Sequence, residues 1–270
     1  MTLTSGPVIC HQKRVRDREA ENALDEELFG AWWESLDKTR EKALVKEISY
    51  EAAKAVILKY EWLGTMPSGM KFAYGLYLDG GLCAVECFTD SKAGSMYSLE
   101  NRPAICLARG ACVHWAPPWA ASYLIRESLK RLNPDTYHFA LAYSDTDAGE
   151  IGTVYQASGW FCTGTTVNEY WESPKGERRD PRHHRDRAKL RTEDGTMRVF
   201  GNDHNIERQK LLDAGWQFKS GGTRYRYAYP LGTGRIYRER REFLKKMSIP
   251  YPKRAGGFNK GNAAESTVEG

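Results

Sequence analysis

Residues 139–160, FALAYSDTDAGEIGTVYQASGW, hold two side chains that can move protons, the carboxylate of Asp145 and the phenol of Tyr155. An apolar run ends at Tyr143, and acidic and small polar residues follow to Glu150. Ile151, Val154, Tyr155 and Ser158 then fall on one side of a helix that Gly159 ends. The pattern predicts a buried strand, a turn and a short helix, with Asp145 at the carboxyl end of the strand. Ligands of open α/β sheets sit beyond those ends. An acid and a phenol placed there can take and give the proton of a bound substrate. Asp is also a preferred helix cap and Tyr a common core residue, so the residue types alone leave a purely structural role equally open.

Further candidates lie upstream. Arg109 is a permanent cation inside the apolar strand pattern AICLARGACVHW, and a guanidinium is well suited to holding phosphate; an edge strand facing solvent would also account for it. Ser122 falls in the first turn of the helix predicted after Pro117 and Pro118. Unpaired backbone N–H groups favour an anion there, and a serine is equally an ordinary cap. Glu61 lies at the end of the helix predicted after Ser49 and can act as oxygen ligand, base or solvated carboxylate. Its neighbour Trp62 suits the core or a wall on which a base stacks. His114, near the end of the Arg109 strand, is a second candidate base. The pair His183-His184 has no Cys or carboxylate partners at a metal-site spacing, which favours phosphate contact or no role.

Positioning these groups requires strands and helices, and the pattern supplies them. A helix over residues 25–40, with an amphipathic stripe of Leu28, Phe29, Trp32, Trp33 and Leu36, is expected to pack on the main body. A strand at 44–48 and a helix capped by Ser49 follow. FAYGLYL and LCAVECF, separated by Asp79-Gly80-Gly81, predict a β-hairpin, and residues 89–103 a longer polar loop. A strand from 104 to about 115, the helix AASYLIRESLKRL, the strand at 139–143 and another at 160–167 complete an α/β fold with a mixed central sheet flanked by helices. Residues 173–196 are almost without apolar side chains and are expected to form a mobile basic loop. Beyond it come a strand MRVF, a polar helix near 203–214, GWQFK, a strand TRYRYAYPL and a basic helix over 235–247. The expected organisation is a helical extension (1–43), a core (44–172), the basic loop (173–196), a basic C-terminal part of the same domain (197–254) and a disordered tail (255–270).

With 270 residues, 41% of them hydrophobic and 12% aromatic, the chain can build a real core. No apolar run approaches the ~20 residues of a membrane span, and the N-terminus lacks the apolar segment of a signal peptide, which predicts a soluble, intracellular protein. Six cysteines without a C-x-x-C pair favour buried thiols over disulfides or structural zinc. The net charge of +5 conceals an asymmetry: residues 175–260 carry 23 Lys and Arg against 10 Asp and Glu, the rest of the chain 17 against 25. So basic a block is the footprint of a polyanion-binding surface, although solvated basic segments without a partner also occur.

Four strings carry a more specific signal: KYEWLG with a Pro-Ser-Gly loop, LARGACVHWAPPWAASYLIRESLKRL, AYSDTDAGEIGTVYQASGW, and RYRYAYPLG with PYPKR. Over residues 46–254 the chain resembles the phage Mom family of DNA-modifying enzymes, and the order of elements from 45 to 167 resembles the GNAT acyltransferase fold. The resemblance implies a GNAT-like mixed sheet and a transferase acting on double-stranded DNA in the cytoplasm of an infected bacterium. Its product would be adenine carrying a carbamoylmethyl or acyl-type group on N6, which shields phage DNA from restriction. Arg109 and Ser122 match positions associated with a donor such as acetyl-CoA or a relative of it, Asp145 and Tyr155 match positions needed for catalysis, and iron is a candidate metal. No membrane partner is implied, and the oligomeric state is left open.

There are two departures. The loop HWAPPWAA has no glycine where many GNAT enzymes carry a Gly-rich pyrophosphate loop, and Glu61-Trp62 stand where the Mom pattern has His-Tyr. Glu61 would then replace the histidine as base or metal ligand, with a different proton affinity and metal preference. The target base must leave the duplex, and Trp62, Trp115, Trp119 and Tyr143 are candidates to stack on it. Arg178, Arg179, Arg182, Arg185, Arg187, Arg224 and Arg226, in a basic region reaching Arg241, are the candidates to hold DNA phosphates. Two other readings share these residues: a GNAT enzyme acylating a small molecule, a protein or tRNA, and a non-catalytic DNA-binding protein on a GNAT scaffold.

Overall fold

A computed structural model describes residues 11–91, 99–176, 178–179 and 203–253. The alternation in FAYGLYL and LCAVECF builds the predicted hairpin: β2 (Met70–Leu78) and β3 (Gly81–Asp90) pair antiparallel across a turn in which Asp79 and Gly80 take φ of 47° and 87°. β1 (Ala43–Glu47) adds to the free edge of β2, and β4 (Ala104–Cys112) to that of β3, both antiparallel. β5 (Phe139–Asp145) runs parallel to β4, reached through the crossover helix α4 (Ala120–Leu129). β8 (Gln217–Pro230) lies antiparallel between β5 and β6 (Phe161–Glu172), and β7 (Arg178–Arg179) pairs with the outer edge of β6. The sheet order is β1-β2-β3-β4-β5-β8-β6-β7.

The remaining helices are α1 (His11–Arg16), α2 (Glu19–Ser35), α3 (Tyr50–Tyr60), α5 (Thr153–Ala157), α6 (Asp203–Asp213) and α7 (Gly234–Met247). Ser49 caps α3 by accepting from the Ala52 N–H, as its position predicts. Ile57, Leu76, Phe88, Leu124, Trp160 and Tyr227 are fully buried in the main core. A smaller cluster of Leu99, Ala104, Phe139, Leu141, Ala228 and Leu244 seats α7 on the sheet. None of the described helices is long and apolar enough to cross a membrane.

One feature of the sheet matters for the site. β4 and β5 pair over only four residues, Ala104–Leu107 against Phe139–Ala142. At that point β4 carries a bulge, with Cys87 facing Arg109 and Phe88 facing Leu107, so that Ala108 has no counterpart. Beyond it, residues 108–112 and 143–145 share no ladder pairing, so β4 and β5 are not joined at the carboxyl end of β5.

Several expectations are corrected. The N-terminal helix is Glu19–Ser35 rather than 25–40, and its stripe is split: Trp33 and Leu36 are buried, while Leu28, Phe29 and Trp32 are exposed. Trp33 docks edge-on against His114 and stacks on Trp115, and that contact turns the opposite edge of the helix outward. The helix after Glu150 shrinks to Thr153–Ala157, because Gly149, which ends a 3-10 turn at Thr146–Ala148, and Gly152, which precedes the helix, both take left-handed φ. GWQFK and TRYRYAYPL merge into the single strand β8, which bulges at Gly221 and Gly222, where the pairing with β6 steps from Val167–Thr223 to Glu169–Ser220. Arg178 and Arg179, placed in a mobile loop by composition, pair as β7 with Glu172 and Trp171. The rest of that loop, with Arg182, Arg185, Arg187, His183 and His184, the MRVF segment and the tail lie outside the described residues.

Candidate active site

Asp145 ends β5 and caps the 3-10 turn, accepting from the Asp147 N–H at 3.0 Å. It is 4% exposed. Asn168 Nδ2 approaches its Oδ1 at 3.3 Å and Arg224 Nη2 its Oδ2 at 3.4 Å, and Arg224 also donates to the Asn168 side-chain oxygen. Asn168 bonds Asp147 Oδ2 at 2.9 Å, and the Gly222 N–H reaches both Asp147 oxygens at 3.0 Å. This net ties the turn to β6 and β8. Gly221 and Gly222 are required for the approach, because a Cβ on either would run into Asp147. These donors hold the Asp145 carboxylate in place, while a general base must change its charge near neutral pH.

The group suited to that task is Glu150. Its N–H bonds the Asp145 carbonyl at 3.0 Å. Burial pushes its carboxyl up to about 7, the charges of Glu61 and Asp145 push the same way, and Arg14 opposes them. Tyr155 is half-buried, with its ring centroid 5.3 Å from those of both Trp160 and Tyr227. Burial first, then Glu150, Glu86, Cys106 and Glu61, hold its phenol well above the ordinary value. At neutral pH it keeps its proton and can only donate. Gly152, at φ 75°, comes so close to Tyr227 that any Cβ would overlap the ring, while Tyr227 Oη donates to the Ile151 carbonyl at 2.5 Å.

Glu86 is a second carboxyl that sequence reasoning missed, although a charge inside LCAVECF was its signal. It is 3% exposed, and burial raises it to about 8. Ser128 Oγ lies 2.7 Å from Glu86 Oε2, 2.9 Å from the Leu124 carbonyl and 3.1 Å from the Ile125 carbonyl. One hydroxyl hydrogen cannot serve three acceptors. A protonated Glu86, donating to Ser128 while Ser128 donates to the helix backbone, satisfies the geometry. Glu150 also went unnamed; its signal was an acid between two glycines directly after the Asp145 turn.

Helix α1 contacts three segments. His11 Nε2 bonds the Tyr60 carbonyl at 2.9 Å, Gln12 Nε2 bonds the Cys112 carbonyl at 2.9 Å while its Oε1 faces the Cys112 N–H at 3.4 Å, and Arg14 Nη2 reaches the Ala148 carbonyl at 3.4 Å. Three successive contacts thus join the end of α3, the end of β4 and the turn after β5. Val15 is buried beneath.

Of the residues named from sequence, Glu61 and Asp145 act on Glu150 through their charges, and Glu150 and Glu61 act in the same way on Tyr155. Glu61 caps α3, its Oε2 accepting from the N–H groups of Leu63 and Gly64 at 2.8 and 2.9 Å, and half-buried Trp62 lies beside it. Arg109 turns toward the loop after α3, donating to the Thr65 carbonyl at 2.8 Å, Thr65 Oγ1 at 3.2 Å and the Ala108 carbonyl at 2.7 Å. Ser122 Oγ donates back to the Trp119 carbonyl at 3.0 Å in the first turn of α4. Arg226 is directed to Thr163 rather than to Asp145. His114 is buried against Trp33 and Tyr60, and burial lowers its basicity. Trp115 packs on Trp32 and Trp33, and Trp119 on Tyr123 below Arg40, while Trp62 and Tyr143 are half-buried. Among the described residues no three His, Cys, Asp or Glu side chains group as metal ligands, and Glu61 is turned into its own cap, so no step is assigned to a metal. An acyl donor of the coenzyme A type would meet N–H groups in the first turn of α4 with its phosphates, while on the β4 edge the carbonyls of Ala108 and Cys112 are already taken by Arg109 and Gln12.

The frame and the site define an α/β protein with a carboxyl–phenol pair at two splayed parallel strands. The chain belongs to the Mom protein family, whose model matches residues 42–253. No curated protein matches it in sequence. Partly similar solved structures include an IAA acetyltransferase from Bacillus cereus, 11% identical over 70% of this chain and 99% of that chain with a TM-score of 0.42. A GNAT family acetyltransferase from Elizabethkingia anophelis with acetyl-CoA bound is 6% identical over 71% and 100%, with a TM-score of 0.42. The Drosophila melanogaster polyamine N acetyltransferase is 8% identical over 70% and 100%, with a TM-score of 0.39.

Proposed function

We propose that this protein is a transferase that places a carbamoylmethyl or acyl-type group on N6 of adenine in double-stranded DNA, as its family membership suggests. The observation that carries the chemistry is the pairing of Glu150, able to change charge near neutral pH, with Tyr155, held protonated beside it. The exocyclic amine of adenine is a weak nucleophile, its lone pair delocalised into the ring. Glu150 accepts a proton from it as the new bond forms, and Tyr155 donates its proton to the leaving group. A bound thioester donor supplies the carbonyl carbon for the acyl-type product: the N–C bond forms, the C–S bond breaks and the thiol leaves. Arg109 braces the loop after α3 against β4, the first turn of α4 with Ser122 faces the donor's phosphates, and Asp145 positions the turn that carries Glu150. Trp62 and Tyr143 stack on the extruded base.

The test is nucleoside mass spectrometry on DNA from cells expressing the protein. A deoxyadenosine of raised mass supports the reading. Unmodified DNA together with an acylated protein, tRNA or small molecule replaces the acceptor while keeping the Glu150–Tyr155 chemistry.

A further inference from the structure

We infer that Arg102, His138 and Arg240 form a second phosphate site, at the end of β5 opposite to Asp145, that holds a backbone phosphate of the nucleic-acid substrate. Three hydrogen bonds bring these residues together from three separate segments. The N–H of His138, just before β5, bonds the Pro103 carbonyl at 2.8 Å, next to Arg102; the His138 carbonyl accepts from the Leu231 N–H at 3.0 Å; and the Leu231 carbonyl accepts from Arg240 Nη1 at 2.8 Å. The Arg102 guanidinium lies 4.0 Å over Phe243, one helical turn from Arg240 on α7.

The delivery of Arg102 costs backbone strain. Glu100 and Asn101 both take left-handed φ, 53° and 56°, in a turn closed by the Arg102 N–H on the carbonyl of fully buried Leu99. Consecutive non-glycine residues in that region persist where the surroundings impose them, which is common at ligand clamps. Opposing charge is sparse. Glu100 bonds Arg102 at 3.1 Å at the surface, Asp135 favours the charge on Arg240 from a distance, and among the described residues no carboxylate lies within ion-pair distance of Arg240. Burial and the two arginines lower the basicity of His138, and burial and Arg102 lower that of Arg240. An anion between them relieves this crowding, and two guanidiniums are the groups best shaped to bind phosphate.

The 7 residues of β5 separate this cluster from Asp145 by roughly 20 Å, a distance spanned by about six base-pair steps of a duplex. The assignment of the phosphate to DNA rests on the function proposed above. The test measures binding of a fluorescent duplex against salt for the wild type, Arg240→Gln and Arg102→Gln, with exposed Lys130→Gln, outside the basic part, as control. Each of the first two variants is expected to bind several-fold more weakly and to flatten the salt slope by about one unit. Wild-type affinity and slope in both variants overturn the site. Should the wild type bind no DNA, inorganic phosphate is titrated while the His138 ring signals are followed by NMR. A shift abolished in Arg240→Gln keeps the phosphate site and removes only the DNA reading; no shift removes the site. Arg102→Gln, whose side chain does not support the Leu231 turn, keeps the test informative if Arg240→Gln unfolds.

Discussion

Glu150 can serve as a base only if its carboxyl changes charge in the working pH range, and burial beside Glu61 and Asp145 brings it to about 7. Activity is therefore expected to rise through about pH 7, and Glu150→Gln to lower turnover by about 10²–10⁴-fold with the fold intact. Tyr155→Phe removes the donor while leaving the ring contacts with Trp160 and Tyr227, so it lowers turnover more than stability. The same titrations set the sign of the stability profile. Glu150 and Glu86, at about 7 and about 8, hold protons in the folded chain that the unfolded chain has already released above its ordinary value of 4.5. Their stabilising contribution is complete below that value and is lost as pH rises through 7 and 8. Urea midpoints should fall over that range, and Glu86→Gln should flatten the upper part. Gly152→Ala is expected to cost about 3 kcal/mol or more in urea unfolding, since it combines left-handed φ with overlap on Tyr227.

At the scale of elements, α1 joins the end of α3, the end of β4 and the turn after β5, and its Arg14 is a positive charge that lowers the basicity of Glu150. Arg14→Gln should move the midpoint of the pH–rate profile upward, readable without any change in maximal rate above it. Asn168→Ala cuts the net joining β6, Asp147 and Asp145 and should weaken turnover through misplacement of the turn, together with a stability loss of about 1–3 kcal/mol. The hairpin, the crossover from β4 to β5 and the cap on α3 were legible from period, turn chemistry and Ser49, because each depends on neighbours in sequence. The bulge at Ala108, the position of β8 between β5 and β6, and the bridge made by α1 were not, because each is set by a partner far along the chain. Asp145 was read correctly as the end of a strand. Its bonds to Asn168 and Arg224, on which the proposal of Glu150 as the proton acceptor draws, come from strands that follow it by many residues.

At the scale of the whole molecule, the acidic first part carries the carboxyl cluster and the basic last part carries β8 and α7. A duplex lying across the basic part would bring phosphates to Arg102 and Arg240 and a base to the carboxyl end of β5, and its affinity should fall steeply with salt. The central claim is that adenine is modified by means of Glu150. The most direct measurement is the fraction of deoxyadenosine with raised mass in DNA from cells expressing the wild type or Glu150→Gln at equal soluble levels. The account predicts modified deoxyadenosine with the wild type and its loss with the variant. Modification that persists undiminished in Glu150→Gln, or wild-type DNA with no deoxyadenosine of altered mass, would contradict it.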